Sequence, residues 1–210
     1  MPIIISIDGN IGSGKSTLIN LIKRYRPSYH VIDEPVDQWQ TVKDNDGKNL
    51  LQKFYEDPDR WGYTFQNFAY ITRLSALQNA IKSNHEIIIT ERSIYTDKHI
   101  FAKMLYENNN ISKIEWDIYN YWYDNFKIDI TGTIYLQTLP NICKKRIQKR
   151  SRNGEDNIKN EYLQKLHDKH EKVFNTHKVL QLDGNIEFTI DKSIQNNMLE
   201  QIDTFINKYN

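Results

Sequence analysis

The stretch that decides the fold is the apolar run Pro2 to Asp8 (PIIISID), followed by the glycine loop Gly9-Asn10-Ile11-Gly12-Ser13-Gly14-Lys15-Ser16-Thr17. An almost continuous apolar run of this length is typical of a strand that is buried on both faces. The loop matches the pattern G-x-x-x-x-G-K-[ST] and leads into a helical repeat of apolar residues from Leu18 to Ile22. The order strand, glycine loop, helix therefore predicts a phosphate-binding loop.

Each part of this loop has a physical role in holding a nucleoside triphosphate. Small residues let successive backbone N–H groups converge on phosphate oxygens at the positive end of the following helix. Lys15 supplies a positive charge for the β- and γ-phosphates, and the Ser16 hydroxyl is a ligand for Mg²⁺. The alternative is a glycine-rich turn without a ligand, but a chance match to the pattern in a chain of this length occurs on the order of 1% of the time.

The rest of the chain alternates between buried strands and amphipathic helices. Further strands are predicted at 30–34, 86–90, 133–136 and 179–182. Helices are predicted after the loop and at about 49–56, 60–83, 93–107, 113–126, 140–149, 160–177 and 194–208, and the polar stretch 37–49 is predicted to be a loop. The alternation predicts a single α/β domain over residues 1–210, a three-layer fold with a five-stranded parallel sheet whose ligands bind beyond the carboxyl ends of the strands.

Composition narrows the possible partners. The formal net charge of the 210 residues is +1, so no bulk field favours nucleic acid or an anionic membrane as a partner. The single cysteine, Cys143, excludes an internal disulfide and a cysteine-based zinc site. No apolar run approaches the roughly 20 residues that span a bilayer, and the first residues lack the pattern of a signal peptide. We expect a cytoplasmic protein.

Phosphate loops occur in GTPases, ATPases and kinases, so the reaction has to be inferred from other motifs. A guanine-specific N-K-x-D loop is absent, which disfavours a GTPase. Glu91-Arg92-Ser93 directly follows the third predicted strand. A carboxylate at that edge can hold Mg²⁺, and the adjacent arginine can neutralise charge on a migrating phosphoryl group. The alternative is a helix-capping serine beside a surface ion pair.

Two further motifs belong at the same edge of the sheet. Glu34-Pro35 ends the second predicted strand, where a carboxylate can accept the proton of an attacking hydroxyl. Taken alone, an acidic residue before a proline favours an ordinary loop over a catalytic role. A basic run, Lys144 to Arg152, follows the fourth strand. It fits a solvated helix face or a nucleic-acid contact, but beside a phosphate loop it favours an arginine-rich lid at about 149–157 that closes over the triphosphate.

Together these motifs resemble one family, the deoxynucleoside kinases, and within it the branch of deoxycytidine and deoxyguanosine kinases and the multisubstrate insect enzyme. The resemblance runs from Ile4 to about Phe174. It is carried by GNIGSGKST, Glu34-Pro35-Val36 with Trp39, YEDPDRWGYTFQ (55–66), Arg73, ERSIYTD (91–97) with Phe101, IYLQTLP (134–140), RIQKRSRNGE (146–155) and EYLQKLHDKHE (161–171).

The resemblance implies a role for individual residues. Glu34 would be the general base for the 5′-hydroxyl of a deoxynucleoside, with Arg92 beside it, and Tyr55 and Glu155 would bind the 3′-hydroxyl. Gln66 would hydrogen-bond the edge of the base. An apolar slot for the base would consist of Trp39, Phe65 and Phe101, lined by Leu51 and Phe54. The lid would carry Arg146, Arg150 and Arg152, and the donor-base loop would be Asp183 to Phe188, including Glu187 and Phe188.

Base preference is predicted from three positions. Gln66, Ala69 and Arg73 are three and four residues apart on one predicted helix, so they share a face. Asp97 lies where it could pair with Arg73; the alternative is an ion pair that only braces two helices. Since thymidine-accepting relatives are apolar at the positions of Arg73 and Asp97, the resemblance implies a preference for deoxycytidine or purine deoxynucleosides over thymidine.

The sequence thus predicts in-line transfer of the γ-phosphate of ATP or a related triphosphate with one Mg²⁺, bound by Ser16 and Glu91, by a homodimer. The surplus of apolar positions at about 60–83 and 113–126 suggests the dimer, as does the family. Two alternatives remain. A nucleoside monophosphate kinase shares the loop and lid, but the carboxylate of Glu34 would repel a phosphorylated acceptor. A nucleotide-binding switch without turnover would not need separate base, sugar and lid residues.

Overall fold

A parallel sheet forms the centre of the molecule. The structure, a computed structural model, describes residues 2–150, 158–176 and 178–209. The strands are β1 (Ile3–Asp8), β2 (His30–Ile32), β3 (Ile87–Glu91), β4 (Gly132–Gln137) and β5 (Val179–Asp183). They lie in the order β2-β3-β1-β4-β5, and every neighbouring pair is parallel. The predicted five-stranded parallel α/β fold is confirmed, and all carboxyl ends of the strands meet at one edge.

Helices connect the strands. They are α1 (Lys15–Tyr25), α2 (Val36–Thr41), α3 (Leu50–Glu56), α4 (Pro58–Lys82), α5 (Ile94–Thr96), α6 (Lys103–Glu107), α7 (Lys113–Phe126), α8 (Pro140–Arg150), α9 (Asn160–Val173) and α10 (Lys192–Ile206). A π-helical turn (Asp97–Ala102) joins α5 to α6, and a 3₁₀ turn (Asn207–Tyr209) follows α10. Among the described residues, no helix combines the length and the apolar character needed to cross a bilayer.

The alternation of side chains along β1 explains the three layers. Ile5 and Ile7 are fully buried and pack with Leu18 of α1 and with the apolar face of α10. Ile4 points to the opposite face of the sheet, where it packs against Leu77 of α4. Because successive residues of a strand face opposite sides, one apolar strand packs against helices on both faces of the sheet.

Helix α4 and its neighbour α3 have sequence signals at their first residues. The Asn49 side chain accepts a hydrogen bond from the backbone of Gln52, and the Gln52 side chain accepts one from the backbone of Asn49, which closes a capping box at the start of α3. The Asp57 side chain accepts from the backbone of Arg60, and Pro58 occupies the first turn of α4. These caps fix two of the helices that line the cleft described below.

The predicted loop at 37–49 is wrong in its first part, because Val36–Thr41 forms the helix α2. Val36 and Trp39 are three residues apart and both are buried against α3 and α4. Burial of this pair stabilises a helical turn in a segment whose composition is otherwise polar. Local propensity is a weak prior, and tertiary packing overrides it here.

The predicted single helix at 93–107 is interrupted by the π-helical turn. The wider turn lies at Asp97–Ala102, and the side chain of Asp97 is buried within the protein. Turns of this kind frequently mark functional sites, because one extra residue changes the direction of the side chains that follow. The other predicted elements agree with the structure within a few residues, except that α9 ends at Val173 and not at 177.

Candidate active site

The glycine loop lies between β1 and α1, at the carboxyl edge of the sheet. Gly12 has φ +76°, and a Cβ atom there would lie 2.6 Å from the backbone oxygen of Cys143, so only glycine fits. Lys15 is buried and its Nζ donates to the backbone oxygens of Gly9 at 3.2 Å and Asn10 at 2.8 Å. Burial, together with the nearby charge of Arg92, lowers the pKa of Lys15 to about 8.

Two side chains with oxygen atoms that can bind a metal ion, Ser16 and Glu91, meet at the start of α1. The Ser16 hydroxyl donates to the carboxylate of Glu91, with Oγ to Oε1 at 3.0 Å and Oγ to Oε2 at 3.3 Å. A hydroxyl and a carboxylate are hard ligands that suit Mg²⁺, which usually takes one or two protein ligands and completes its shell with phosphate oxygens and water. Within the described ranges, no group of three His, Cys, Asp or Glu side chains could hold a metal. Ser16 and Glu91 supply ligand types that fit a magnesium ion.

Four side chains, Glu34, Arg73, Arg92 and Asp97, form a charged centre beside the loop. Glu34 Oε1 lies 2.5 Å from Nη1 of Arg92 and 3.4 Å from Nη2 of Arg73. Burial alone would raise the pKa of Glu34, but the two guanidinium groups hold it at about 2. Glu34 is thus a carboxylate at any physiological pH.

Arg73 links the two ends of the charged centre. Its Nε donates to Asp97 Oδ2 at 2.8 Å, and its Nη1 donates to the backbone oxygen of Glu91 at 2.7 Å. Although burial disfavours its charge, the carboxylates of Asp97 and Glu34 raise the pKa of Arg73 above its usual range. The predicted pairing of Arg73 with Asp97 is therefore present. Gln66 and Ala69 are buried on the same face of α4, as the spacing predicted.

An aromatic slot leads from the charged centre, and it consists of Trp39, Leu51, Phe54, Phe65 and Phe101. The rings of Phe54 and Phe65 stack with centroids 4.6 Å apart, and Trp39 meets Phe65 edge to face at 5.3 Å. The Trp39 indole donates to Thr72 Oγ1 at 3.0 Å, which fixes its orientation. Phe101 comes from the π-helical turn, and its ring lies 5.0 Å from the guanidinium carbon of Arg92. The slot therefore has rigid aromatic walls next to charged groups.

Gln66 is placed to present a polar group to this slot. Its side chain is 3% exposed, and its Oε1 has no hydrogen-bond partner within the described part of the chain. Buried polar atoms are nearly always paired in proteins, so this amide oxygen can accept a hydrogen bond from a molecule that enters the slot.

One cleft of about 490 Å³ joins the loop, the charged centre and the aromatic slot. Its walls contain the following residues that the sequence predicted: Ile11, Gly12, Gly14, Lys15, Ser16, Thr17, Glu34, Trp39, Leu51, Phe54, Tyr55, Phe65, Gln66, Ala69, Arg73, Glu91, Arg92, Asp97, Phe101, Arg146, Arg150, Glu187 and Phe188. Gly9, Asn10 and Ser13 do not line it; the Asn10 amide instead donates to the backbone oxygen of Leu163 at 2.9 Å and ties the loop to α9. Arg152 and Glu155 lie outside the described residues.

Sequence reasoning missed some residues of the cleft. Val36, Tyr162 and Thr189 also line it, as does Lys149, which belongs to the predicted lid range although no individual role was assigned to it. Val36 and Tyr162 stand inside the motifs quoted for the resemblance, and this was the available signal. A valine and a tyrosine carry no pattern that separates a cleft residue from a core residue.

A further part of the cleft wall, here called the outer rim, consists of Lys149, Arg150, Glu187 and Thr189, all solvent-exposed. Behind it, Arg146 Nη1 donates to the backbone oxygens of Ser13 at 2.9 Å and Gly184 at 2.8 Å. Arg146 therefore braces the glycine loop against the segment after β5. The alternative of a purely solvated basic helix face does not hold for this residue.

A parallel α/β sheet, a glycine loop with a buried lysine and an adjoining ionic centre define a P-loop phosphotransferase. Comparisons with known proteins give the family. A model of the deoxynucleoside kinase family matches residues 5–207. The probable deoxycytidine kinase of fowlpox virus (strain NVSL) is 44% identical over 97% of this chain and 88% of the relative. Deoxycytidine kinase 2 of Gallus gallus is 38% identical over 96% and 89%, and deoxycytidine kinase of Homo sapiens is 40% identical over 80% and 73%. This chain belongs to the deoxynucleoside kinase family.

Proposed function

We propose that this kinase transfers the γ-phosphate of ATP, or of a related triphosphate, to the 5′-hydroxyl of deoxycytidine or a purine deoxynucleoside for nucleotide salvage. The observation that carries the proposal is the continuous cleft that joins the glycine loop, the charged centre and the aromatic slot. The names of the relatives, which are deoxycytidine kinases, agree with it.

In this proposal the reaction is centred on Glu34. Its carboxylate orients the 5′-hydroxyl and accepts the proton as the new O–P bond forms and the bond from the γ-phosphorus to the β-phosphate oxygen breaks. Arg92 and Lys15 stabilise the charge on the transferred group. Mg²⁺, held by Ser16 and Glu91, would neutralise charge on the donor phosphates. Catalysis of phosphoryl transfer depends mostly on positioning and electrostatics, so a carboxylate of low pKa is sufficient as the base.

Base selection follows from the end of the slot. The planar amide of Gln66 can donate to and accept from a base edge. The ion pair of Arg73 with Asp97 fills the space that a thymine methyl group needs and offers hydrogen-bonding groups to an exocyclic amine. Thymidine is therefore expected to be a poor substrate.

The test is phosphorylation of deoxycytidine, deoxyadenosine, deoxyguanosine and thymidine with ATP and Mg²⁺, followed through release of ADP. We expect thymidine to have the lowest kcat/KM, and chelation of Mg²⁺ to stop turnover. Deoxycytidine monophosphate serves as a control acceptor, because a nucleoside monophosphate kinase would prefer it. A preference for thymidine would contradict the base assignment, and failure of all four nucleosides would contradict the function.

We also propose that the enzyme is a homodimer. Helices α4 and α7 expose large apolar side chains: Ile71, Ile114, Ile118, Tyr121, Trp122 and Phe126. Ile114 is 74% exposed and Tyr121 67%, which is unusual for side chains of this size. A two-fold interface between copies would bury them. Sedimentation at micromolar concentration should give twice the chain mass, and Tyr121→Glu should shift it toward the monomer; a monomeric parent would refute the proposal.

A further inference from the structure

Beneath Arg92 lies a buried set of polar side chains to which the reaction scheme above assigns no role. Ser6, Asp8, Ser93 and Thr96 are at most 1% exposed. Asp8 is the last residue of β1, so it directly precedes the glycine loop. Thr96 ends α5, close after the Glu91-Arg92-Ser93 motif. The two segments are 88 residues apart in sequence and meet here.

The hydrogen bonds of this set run in a fixed direction. Thr96 Oγ1 donates to Asp8 Oδ1 at 2.6 Å, and Ser6 Oγ donates to Asp8 Oδ2. Since the Thr96 hydroxyl gives its proton to Asp8, its oxygen is available to accept from Ser93 Oγ, which lies 3.1 Å away. Ser93 Oγ in turn accepts from the backbone N–H of Thr96 at 3.2 Å. Both Asp8 oxygens are therefore used, and the first turn of α5 is tied to β1.

The backbone between these groups has an unusual conformation. Arg92 has φ +62°, in the left-handed region that residues with a side chain rarely adopt. Such a conformation persists only where the surroundings hold it. The Arg92 N–H donates to the backbone oxygen of Ile7 at 3.0 Å, and Thr90 Oγ1 donates to the backbone oxygen of Arg92 at 2.9 Å. Arg92 is thus fixed from β1 on one side and from β3 on the other.

The same conformation directs the side chain of Arg92 into the cleft. Its Nη1 reaches Glu34, and its Nη2 donates to the backbone oxygen of Gly9 at 3.3 Å. Stability alone does not explain a buried carboxyl under this residue, because replacing buried charged groups by apolar ones of similar volume is often neutral or stabilising. The buried bonds instead determine where one functional side chain lies.

We propose that Asp8 and Thr96 are positioning residues for phosphoryl transfer, which hold the left-handed backbone at Arg92 so that its guanidinium group meets the migrating phosphoryl group. This inference rests on the role proposed for Arg92 above. It predicts that loss of the Asp8–Thr96 bond lowers kcat and leaves the KM of both substrates nearly unchanged, because neither side chain belongs to the walls of the cleft.

The experiment compares Thr96→Val, which removes the hydroxyl at nearly constant volume, with Thr96→Ser, which keeps it. We expect Thr96→Val to lose roughly tenfold or more in kcat, since a displacement of about 1 Å can cost about 100-fold. Thr96→Ser should retain kcat within about twofold. If Thr96→Val does not fold, Asp8→Leu, which removes both acceptor oxygens at similar volume, tests the same bond from its other side. Thr133→Val is the matched control, because Thr133 is a buried threonine on β4 that does not belong to the walls of the cleft.

A double-mutant cycle with Arg92→Ala separates positioning from a general structural effect. If Thr96 acts through Arg92, then Thr96→Val should change kcat by less than about twofold in the Arg92→Ala background. An equal loss in both backgrounds, or a similar loss in Thr133→Val, would overturn the inference. A normal kcat in Thr96→Val, together with a large loss of kcat in Arg92→Ala, would overturn the positioning inference and leave the proposed role of Arg92 intact. Parent-like kcat in Arg92→Ala would overturn the proposed role of Arg92 and this inference with it.

Discussion

The two walls of the cleft are built differently. In the charged centre, the half-buried Glu34 and the buried Arg92, Arg73 and Asp97 form an unbroken series of ion pairs. Backbone oxygens accept further hydrogen bonds from the two arginines. The outer rim instead presents Lys149, Arg150, Glu187 and Thr189 from the end of α8 and from the segment after β5. Its side chains are exposed, and the neighbouring Arg146, which braces the glycine loop, is partly buried.

This difference has a physical consequence. Groups that are held in place before the substrate binds need no reorganisation during the reaction, and in a site of low dielectric they act strongly. Exposed arginines and lysines are screened by water until something covers them. Changes in the charged centre should therefore affect both catalysis and stability, whereas changes in the outer rim should affect catalysis alone.

The largest effect is expected for Glu34→Gln. The amide keeps the shape but cannot accept the proton of the 5′-hydroxyl, so kcat should fall by roughly 10²–10⁴ while binding of the nucleoside is largely retained. Steady-state kinetics and equilibrium binding of deoxycytidine would measure the two separately. Near-normal turnover in this variant would contradict the assignment of Glu34 as the base.

How much of the charged centre and the glycine loop could be predicted depends on how far apart in sequence the contacting residues are. The glycine loop needs its residues in one short segment, and Gln66, Ala69 and Arg73 share a helix, so local spacing predicted both. The bond from Thr96 to Asp8 and the left-handed backbone of Arg92 depend on segments that are far apart in sequence. No local pattern encodes such contacts, and for the same reason burial of Val36 and Trp39 formed a helix where a loop was predicted.

The next effect concerns stability. Asp97→Ala leaves the buried guanidinium of Arg73 without its closest carboxylate and should cost roughly 3 kcal/mol in the free energy of unfolding. The double change Arg73→Met with Asp97→Ala removes both charges, so it should cost less than the sum of the two single changes. It should also open the slot to thymidine.

Urea denaturation of Asp97→Ala, Arg73→Met and the double variant, together with kcat/KM for thymidine, tests this prediction. Additive losses of stability would show that Arg73 and Asp97 do not act as a pair. A double variant that folds and still rejects thymidine would show that the pair does not select the base.

A smaller and purely kinetic effect is expected at the outer rim. Arg150→Ala should lower kcat and kcat/KM together by roughly 10- to 100-fold, because its charge is needed mainly in the transition state. The unfolding free energy should change by less than about 0.5 kcal/mol, as is usual for exposed positions. Lys145→Ala, an exposed change on the same helix and outside the walls of the cleft, is the control. A change confined to the KM of the donor would show that Arg150 only holds the triphosphate.

The smallest effect concerns His170 on α9. It tests whether this ring is kept from water, and therefore unprotonated, in the folded protein. This ring is fully buried, donates from Nδ1 to the backbone oxygen of Leu166 at 2.6 Å, and stacks on Tyr135 and lies edge to face with Phe101. Its Nε2 has no partner within the described residues. Burial lowers the pKa of His170 from 6.5 to about 3, and the charges of Arg92 and Lys15 act in the same direction.

The sign of the pH effect follows from these two pKa values. As the pH falls below 6.5, the unfolded chain binds a proton at His170 that the folded protein refuses until about pH 3, so folding loses stability across this window. Between pH 8 and pH 5.5 the loss from this residue should be about 1.4 kcal/mol. His170→Phe keeps the packing and removes the proton, so it should lose about 1.4 kcal/mol less than the parent over the same range. Measurement at pH 8, where the imidazole is neutral in both states, gives the packing cost of the substitution by itself. If the unfolding free energies of parent and variant change in parallel with pH, the ring can be protonated in the folded enzyme. Water then reaches His170, and the water-free interior does not extend to it.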